Sequence, residues 1–480
     1  MSISTSIKSI QDIMRKDVGV DGDAQRIGQI AWMLFLKILD DQEAELEEED
    51  PRYRSALPKA LRWRHWAADR EGMTGEDLLT FVNNELFPGL KELEGRRSDP
   101  RVKLVRGVFE DAYNYMKSGT LLRQVVNKLQ EDIDFNESKS RHLLGDVYEQ
   151  ILRDLQGAGN AGEFYTPRAV TQLMVERVDP RLGETVLDPA CGTGGFLTAA
   201  IEHIRPQVKT PADEARLQAS LHGVEKKPLP HQLCTTNLML HGVAVPLLVE
   251  HGNTLARLLR DRGPDEQVDV IVTNPPFGGM EEDGVEKNFP VEFQTRETAD
   301  LFLVLILHLL KPGGRAAVVL PDGTLFGEGI KTRIKQKLLA ECDLHTIVRM
   351  PKGVFAPYTS IQTNLLFFTK GKKTREVWFY EHPYPVEQKN YSKTKPLRLE
   401  EFNPLRAWWG ERVVNERAWK VSADDIVARN ANLDWKNPHG VDEVADDPEA
   451  LIAAYEAANR EVAAVRDALR NALVKVLVRA

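Results

Sequence analysis

Residues 185–196 read Thr185-Val186-Leu187-Asp188-Pro189-Ala190-Cys191-Gly192-Thr193-Gly194-Gly195-Phe196. A short apolar strand stops at an acid and a proline. Three glycines among four residues then turn the chain into an apolar helix over 197–204. Strand, glycine turn and helix in that order open a doubly wound α/β unit. The same alternation repeats outward. Residues 221–224 form a second strand ending at Glu225, and 245–249 a third. Residues 268–272 are the clearest strand, β-branched throughout except for Asp269. A helical pattern over 300–310 stops at the turn Lys311-Pro312-Gly313-Gly314, and 316–320, 345–348 and 365–368 complete seven strands. The expected fold is a Rossmann-like, mostly parallel seven-stranded sheet with ligands at the carboxyl ends of its strands. No helical pattern separates the last two strands, so one of them is expected to run antiparallel.

Residues 1–156 read instead as a helical bundle. Ile27, Ile30, Ala31, Leu34 and Ile38 recur at three- and four-residue spacing behind Asp23, a candidate cap. The acidic run 43–50 reads as a solvated face or loop, and further helical patterns cover 78–87, 121–129 and 143–155. Arg62-Trp63-Arg64-His65-Trp66 interleaves cations with aromatics. So short a pattern favours an amphipathic segment, tryptophans inward, over a nucleic-acid surface. Gly157-Ala158-Gly159-Asn160-Ala161-Gly162 reads as a joint. The expected organisation is therefore a helical domain over 1–156, an α/β domain over 157–435 and a C-terminal helix over 436–480.

Composition narrows the class. A chain of 480 residues exceeds the roughly 250–300 that one core supports. With 42% hydrophobic and 28% charged residues it is an ordinary globular protein, which excludes wholesale disorder. A net charge of −9 excludes a whole-surface polyanion binder, so any nucleic-acid contact is local or shared with a partner. Three dispersed cysteines and histidines without ligand spacing exclude a disulfide scaffold and a zinc knot, and no metal is expected. The amino terminus lacks a signal-peptide pattern, and the longest apolar stretch falls short of the ~20 residues of a membrane span. A cytoplasmic protein without membrane contact is expected.

Two motifs carry chemistry. In the first, glycines let the backbone approach a nucleoside, Asp188 at the strand tip suits a cationic head group, and Glu225 stands where an acid reads ribose hydroxyls. Dehydrogenase, kinase-like and methyltransferase readings all fit these features. The second motif, Asn274-Pro275-Pro276-Phe277, follows the strand 268–272. Two prolines stop the strand in extended geometry. The Asn274 carboxamide oxygen and the Pro275 carbonyl can then accept from one planar amine, while Phe277 offers a ring on which an extruded base stacks.

These motifs resemble those of S-adenosylmethionine-dependent amino methyltransferases, and Asn-Pro-Pro-Phe resembles the N6-adenine DNA class. Glu163-Phe164-Tyr165-Thr166-Pro167-Arg168, the helical N-terminal region and the length resemble the modification subunits of type I restriction–modification systems. The resemblance implies methyl transfer from S-adenosylmethionine to the N6 amine of a flipped adenine in double-stranded DNA. It places Glu163, Phe164, Tyr165, Thr166, Pro167, Arg168, Gly192, Thr193, Gly194, Gly195 and Glu225 at the cofactor, with Asp188 at its methionine end. Asn274, Pro275, Pro276 and Phe277 would hold the adenine. Asn253 stands where many relatives carry an aspartate near the cofactor's purine. The resemblance also implies a separate specificity subunit, a restriction subunit and two copies of this chain per complex.

A protein-glutamine N5-methyltransferase is the alternative, since a side-chain amide is also a planar NH2; a stand-alone adenine DNA methyltransferase is another. At the C-terminus, Leu451, Tyr455, Ala458, Val462, Val465, Leu469, Ala472 and Val476 form a heptad seam suited to docking on a helix of the specificity subunit. Lys331, Arg333, Lys335 and Lys337 are candidate phosphate contacts or simply the polar face of a helix.

Overall fold

The computed structural model describes residues 3–94, 99–132, 165–356 and 361–439 (386, 387, 389, 393 and 394 excepted), with Thr359 and nine positions between 452 and 466. Among the described residues the α/β half is one mixed sheet. Its strands are β1 (Val186–Asp188), β2 (Leu221–Glu225), β3 (Val249–His251), β4 (Val268–Thr273), β5 (Leu310–Pro321), β6 (Cys342–Arg349), β7 (Thr363–Lys370), β8 (Glu376–Glu381) and β9 (Ala418–Ser422). Their order is β3-β2-β1-β4-β5-β7-β6-β8-β9. The first five in that order are parallel, and β7 is antiparallel to both β5 and β6, as the missing crossover helix requires.

Nine strands replace the expected seven. The two additions, β8 and β9, read Glu-Val-Trp-Phe-Tyr-Glu and Ala-Trp-Lys-Val-Ser, short segments whose charged positions hide the alternation. Their inward residues Val377, Phe379, Trp419 and Val421 are buried, and the Phe379 and Trp419 rings stack at 5.6 Å. The third strand also lies later than its apolar run. Val245 and Leu247 pack against the helical region, and pairing begins only at Val249. The helix Thr298–Leu309 stops where expected, but 311–314 continues into β5 through an irregular register opposite Val268 and Val270, with Gly313 at φ +83°.

The sheet is covered on both faces, which is why β4 is buried at five of six positions. The N-terminal helices form a separate core, with Trp32, Phe35, Trp63 and Phe109 at its centre. The long helix Asp23–Glu49 is uncapped by Asp23, which is its first residue and pairs with Arg26 instead. It runs straight through the acidic stretch. Glu43 is buried there, accepting from the Tyr53 hydroxyl at 3.1 Å and the Ala56 amide at 3.2 Å, so part of the expected solvated run pins the next loop. Trp63 and Trp66 are buried edge to face, while Arg62 and Arg64 pair with Glu47 and Asp40. That is the amphipathic arrangement. The expected helix 143–155 and the joint 157–162 lie outside the described residues.

Helix Pro228–Leu240 connects the two halves. One face follows β2, and Leu233, Met239 and Leu240 enter the N-terminal core. Of the C-terminal seam, Tyr455, Val462 and Val465 are described, helical and exposed; the other members lie outside the described residues.

Candidate functional site

A cavity of about 270 Å³ opens at the carboxyl ends of β1 to β4. The glycine loop forms its floor. Gly192 and Gly194 have φ of +53° and +83°, a region in which side chains are strained. The Cys191 amide donates to the Val224 carbonyl at 3.0 Å, seating the loop on the end of β2. Gly192, Thr193 and Gly195 line the cavity. Gly194 acts from behind, where a Cβ would lie 2.8 Å from Cys234 Sγ. Asn237 Nδ2 holds the Thr193 carbonyl at 3.0 Å. The neighbouring Cys234 thiol and burial raise the Cys191 thiol well above its ordinary range, so it stays protonated as a packing group.

Two acids face this floor. Asp188, 1% exposed, accepts from the Ala190 amide at 3.2 Å. Burial, with the charge of Glu225 adding to it, pushes its carboxyl up to about 7. Glu225 receives the Gly192 amide at 2.9 Å and the Lys227 amide at 2.7 Å, yet burial still raises its carboxyl.

Opposite them, Asn274 leaves the tip of β4. Its Nδ2 donates to Thr166 Oγ1 at 3.1 Å, and its Oδ1 is buried without a partner. A buried carbonyl oxygen in that state is an acceptor awaiting a donor. Pro276 lines the cavity beside it, whereas Pro275 is buried behind. Phe277 does not line the cavity; its half-buried ring meets Phe355 edge-on at 6.2 Å.

The segment before the sheet contributes Thr166 to the cavity. Tyr165 packs toward the N-terminal core, Pro167 starts the helix Arg168–Val178, and Arg168 pairs with Glu202 at 2.5 Å. Glu163 and Phe164 lie outside the described residues. Asn253 lines the cavity and already makes two hydrogen bonds within the protein. Its Oδ1 accepts from the Leu255 amide at 3.0 Å and its Nδ2 donates to Glu281 at 2.9 Å. Sequence reading missed Lys226, Met280, Glu281 and Thr298, which also line the cavity. Lys226, Met280 and Glu281 sit on loops and Thr298 opens the helix Thr298–Leu309, and no local pattern marks them.

The cations of the basic helix have partners within the protein. Lys331 binds Glu297 and Asp300, Lys335 donates to the carbonyls of Leu325 and Gly327, Lys337 pairs with Glu341, and Arg333 donates to the Glu292 carbonyl. Among the described residues no helix is long and apolar enough to cross a membrane, and no group of three or more His, Cys, Asp or Glu is placed to hold a metal.

Residues 139–447 match the family N-6 DNA Methylase, and residues 3–129 match the HsdM N-terminal domain. The chain is 62% identical to the type I restriction enzyme EcoEI methylase subunit of Escherichia coli, over 98% of each chain. Identity to the EcoKI methylase subunit of Escherichia coli K12 is 28%, over 80% of this chain and 72% of that one. Among solved structures, a modification subunit from Vibrio vulnificus YJ016 superposes with a TM-score of 0.83 at 45% identity, covering 93% of this chain and 99% of that one. A chain from a type I R-M system superposes equally well, with a TM-score of 0.83 at 37% identity over 98% of both.

Proposed function

The chain belongs to the N-6 DNA methylase family, among the methylase subunits of type I restriction enzymes, and from that membership we propose how its site divides the work. The protein is the modification subunit of a type I restriction–modification system, an adenine-specific DNA methyltransferase acting at N6, and it works in a multi-subunit assembly.

The cavity at the ends of β1 to β3 takes S-adenosylmethionine. Its fit rests on chemistry already present: a glycine floor open to close approach, a buried carboxylate at Asp188 for the methionine ammonium, and Glu225 for the ribose hydroxyls. When bound, the cofactor supplies a methyl group on a sulfonium that leaves readily, so neither a nucleophilic side chain nor a metal is required. Glu163, Phe164, Tyr165, Thr166, Pro167 and Arg168 would border it.

The observation that carries the base site is the buried, unpartnered Oδ1 of Asn274 beside this cavity. That oxygen and the Pro275 carbonyl accept the two hydrogens of the adenine amine, turning its lone pair toward the methyl group. The adenine is flipped out of double-stranded DNA to reach them, and Phe277 borders it. Net charge −9, with the basic helix internally paired, makes DNA affinity depend on a partner. That partner is a specificity subunit, docked on the exposed seam at Tyr455, Val462 and Val465. A restriction subunit and a second copy of this chain complete the assembly, in the cytoplasm.

The test is a labelled-methyl assay on the chain assembled with its specificity subunit, offered duplex DNA or a Gly-Gly-Gln peptide. Label recovered as N6-methyladenine supports the base site. Label on the peptide, or undiminished DNA methylation by Asn274→Ala, would refute it.

A further inference from the structure

We propose that Glu281, oriented by Asn253 and Lys226, is the carboxylate that accepts the exocyclic amine of the cofactor's purine. This rests on the reading that the cavity binds S-adenosylmethionine. Asp188, Glu225 and Asn253 stand at the ends of β1, β2 and β3, which are neighbours in the sheet in that order from the middle outward. With the ammonium at Asp188 and the ribose at Glu225, the purine lies beyond, toward β3. The side chain at that end is Asn253, which already spends one Oδ1 lone pair and one Nδ2 hydrogen within the protein. Oδ1 caps the short turn Thr254–Ala256 and Nδ2 is given to Glu281. Its neutral carboxamide holds Glu281, whose charged carboxylate is the stronger acceptor for a purine amine.

Glu281 is suited to that amine. It is 8% exposed, lines the cavity, and keeps its carboxylate in place through Asn253 at 2.9 Å and Lys226 Nζ at 3.3 Å from each oxygen. Its backbone is tied on both sides, the amide to the Arg296 carbonyl at 2.9 Å and the carbonyl to the Arg296 guanidinium at 3.3 Å. A carboxylate has about four acceptor positions, and these three contacts leave one for a ligand donor. Glu281 also rides on the loop that begins at Asn274, so one segment reaches both the purine end of the cavity and the base-holding amide.

Titration calorimetry on the full chain compares S-adenosylhomocysteine with its analogue carrying hypoxanthine, in which a carbonyl replaces the amine. The wild-type chain should favour adenine by about tenfold or more, the scale of one hydrogen bond to a charged group. Glu281→Gln should erase most of that preference, because an amide can donate to the carbonyl. Asn253→Asp should weaken adenine binding by setting two carboxylates against each other, and adding Glu281→Gln should restore it. Equal loss for both ligands in Glu281→Gln would make Glu281 a loop-folding residue and overturn the assignment, as would an unchanged preference. A wild-type chain that binds neither ligand would remove the cofactor reading, and this assignment with it.

Discussion

Thr166 Oγ1 receives Asn274 Nδ2 at 3.1 Å, across 108 residues of chain, and so decides which way the carboxamide at the tip of β4 faces. With one Nδ2 hydrogen held there, the Asn274 Oδ1 is left buried and unpartnered beside the cavity. Thr166 thereby joins the segment bordering the cofactor cavity to the group proposed to hold the base.

Thr166→Val keeps the shape and removes the acceptor. The freed carboxamide can then rotate, so methyl-transfer turnover should fall by roughly tenfold or more, with S-adenosylhomocysteine affinity within a few-fold. Thr166→Ser, which keeps the hydroxyl, should recover most of the turnover. A positioning role predicts that split between kcat and binding; a purely structural role would move both variants together.

Asn274→Ala and Phe277→Ala should abolish transfer while cofactor binding stays within a few-fold, because both belong to the base side. Calorimetry is the check. Loss of the cofactor in Asn274→Ala would mean that the tip of β4 serves the cofactor instead.

Gly194→Ala should damage the cofactor site without touching the cavity. The new Cβ would sit 2.8 Å from Cys234 Sγ at a φ of +83°, strained in any L residue. The glycine loop must shift, and S-adenosylhomocysteine affinity should drop by about tenfold or more. Asp188→Ala should weaken it on a similar scale, by losing a charge-assisted contact of about 1.5–3 kcal/mol.

Asp188 also predicts a pH dependence. Its ordinary value of 3.8 is raised to about 7 by burial, so between these values the folded chain holds a proton that the unfolded chain has released. The stability this contributes to the unliganded protein is fully present below about pH 4 and is lost as pH rises through about 7. Cofactor affinity runs the other way. An ammonium needs the carboxylate, so affinity should level off above about pH 8 and fall about tenfold per unit below 7. Melting curves with and without S-adenosylhomocysteine should show a larger ligand shift at pH 8 than at pH 6. Asp188→Asn should flatten it.

Deleting residues 448–480 should leave cofactor binding intact and abolish copurification with the specificity subunit, and with it DNA methylation. Ile452, Tyr455, Val462 and Val465 are between 56% and 70% exposed, an apolar surface open to a partner. A truncated chain that still assembled and methylated normally would take this helix out of the interface.

Local chemistry made much of this protein legible in its sequence. A glycine turn between strand and helix, an acid at the tip of β2 and Asn-Pro-Pro-Phe at the tip of β4 depend on neighbours within a few residues, and the structure gathers Asp188, Thr193, Glu225 and Asn274 around one cavity. The helical stripe behind Asp23 and the inward tryptophans 63 and 66 were legible for the same reason, since periodicity reports which face is buried. What the tertiary structure decided is where side chains far apart in sequence spend their hydrogen bonds. Lys331 and Lys335 look like a basic surface, but folding turns them onto Asp300 and onto the carbonyls beside Phe326. Glu43 leaves a run of solvated acids to anchor a loop. Asn253 gives its amide to Glu281, which no motif marks. A buried polar group must find a partner wherever the fold supplies one, and sequence spacing does not encode which partner arrives.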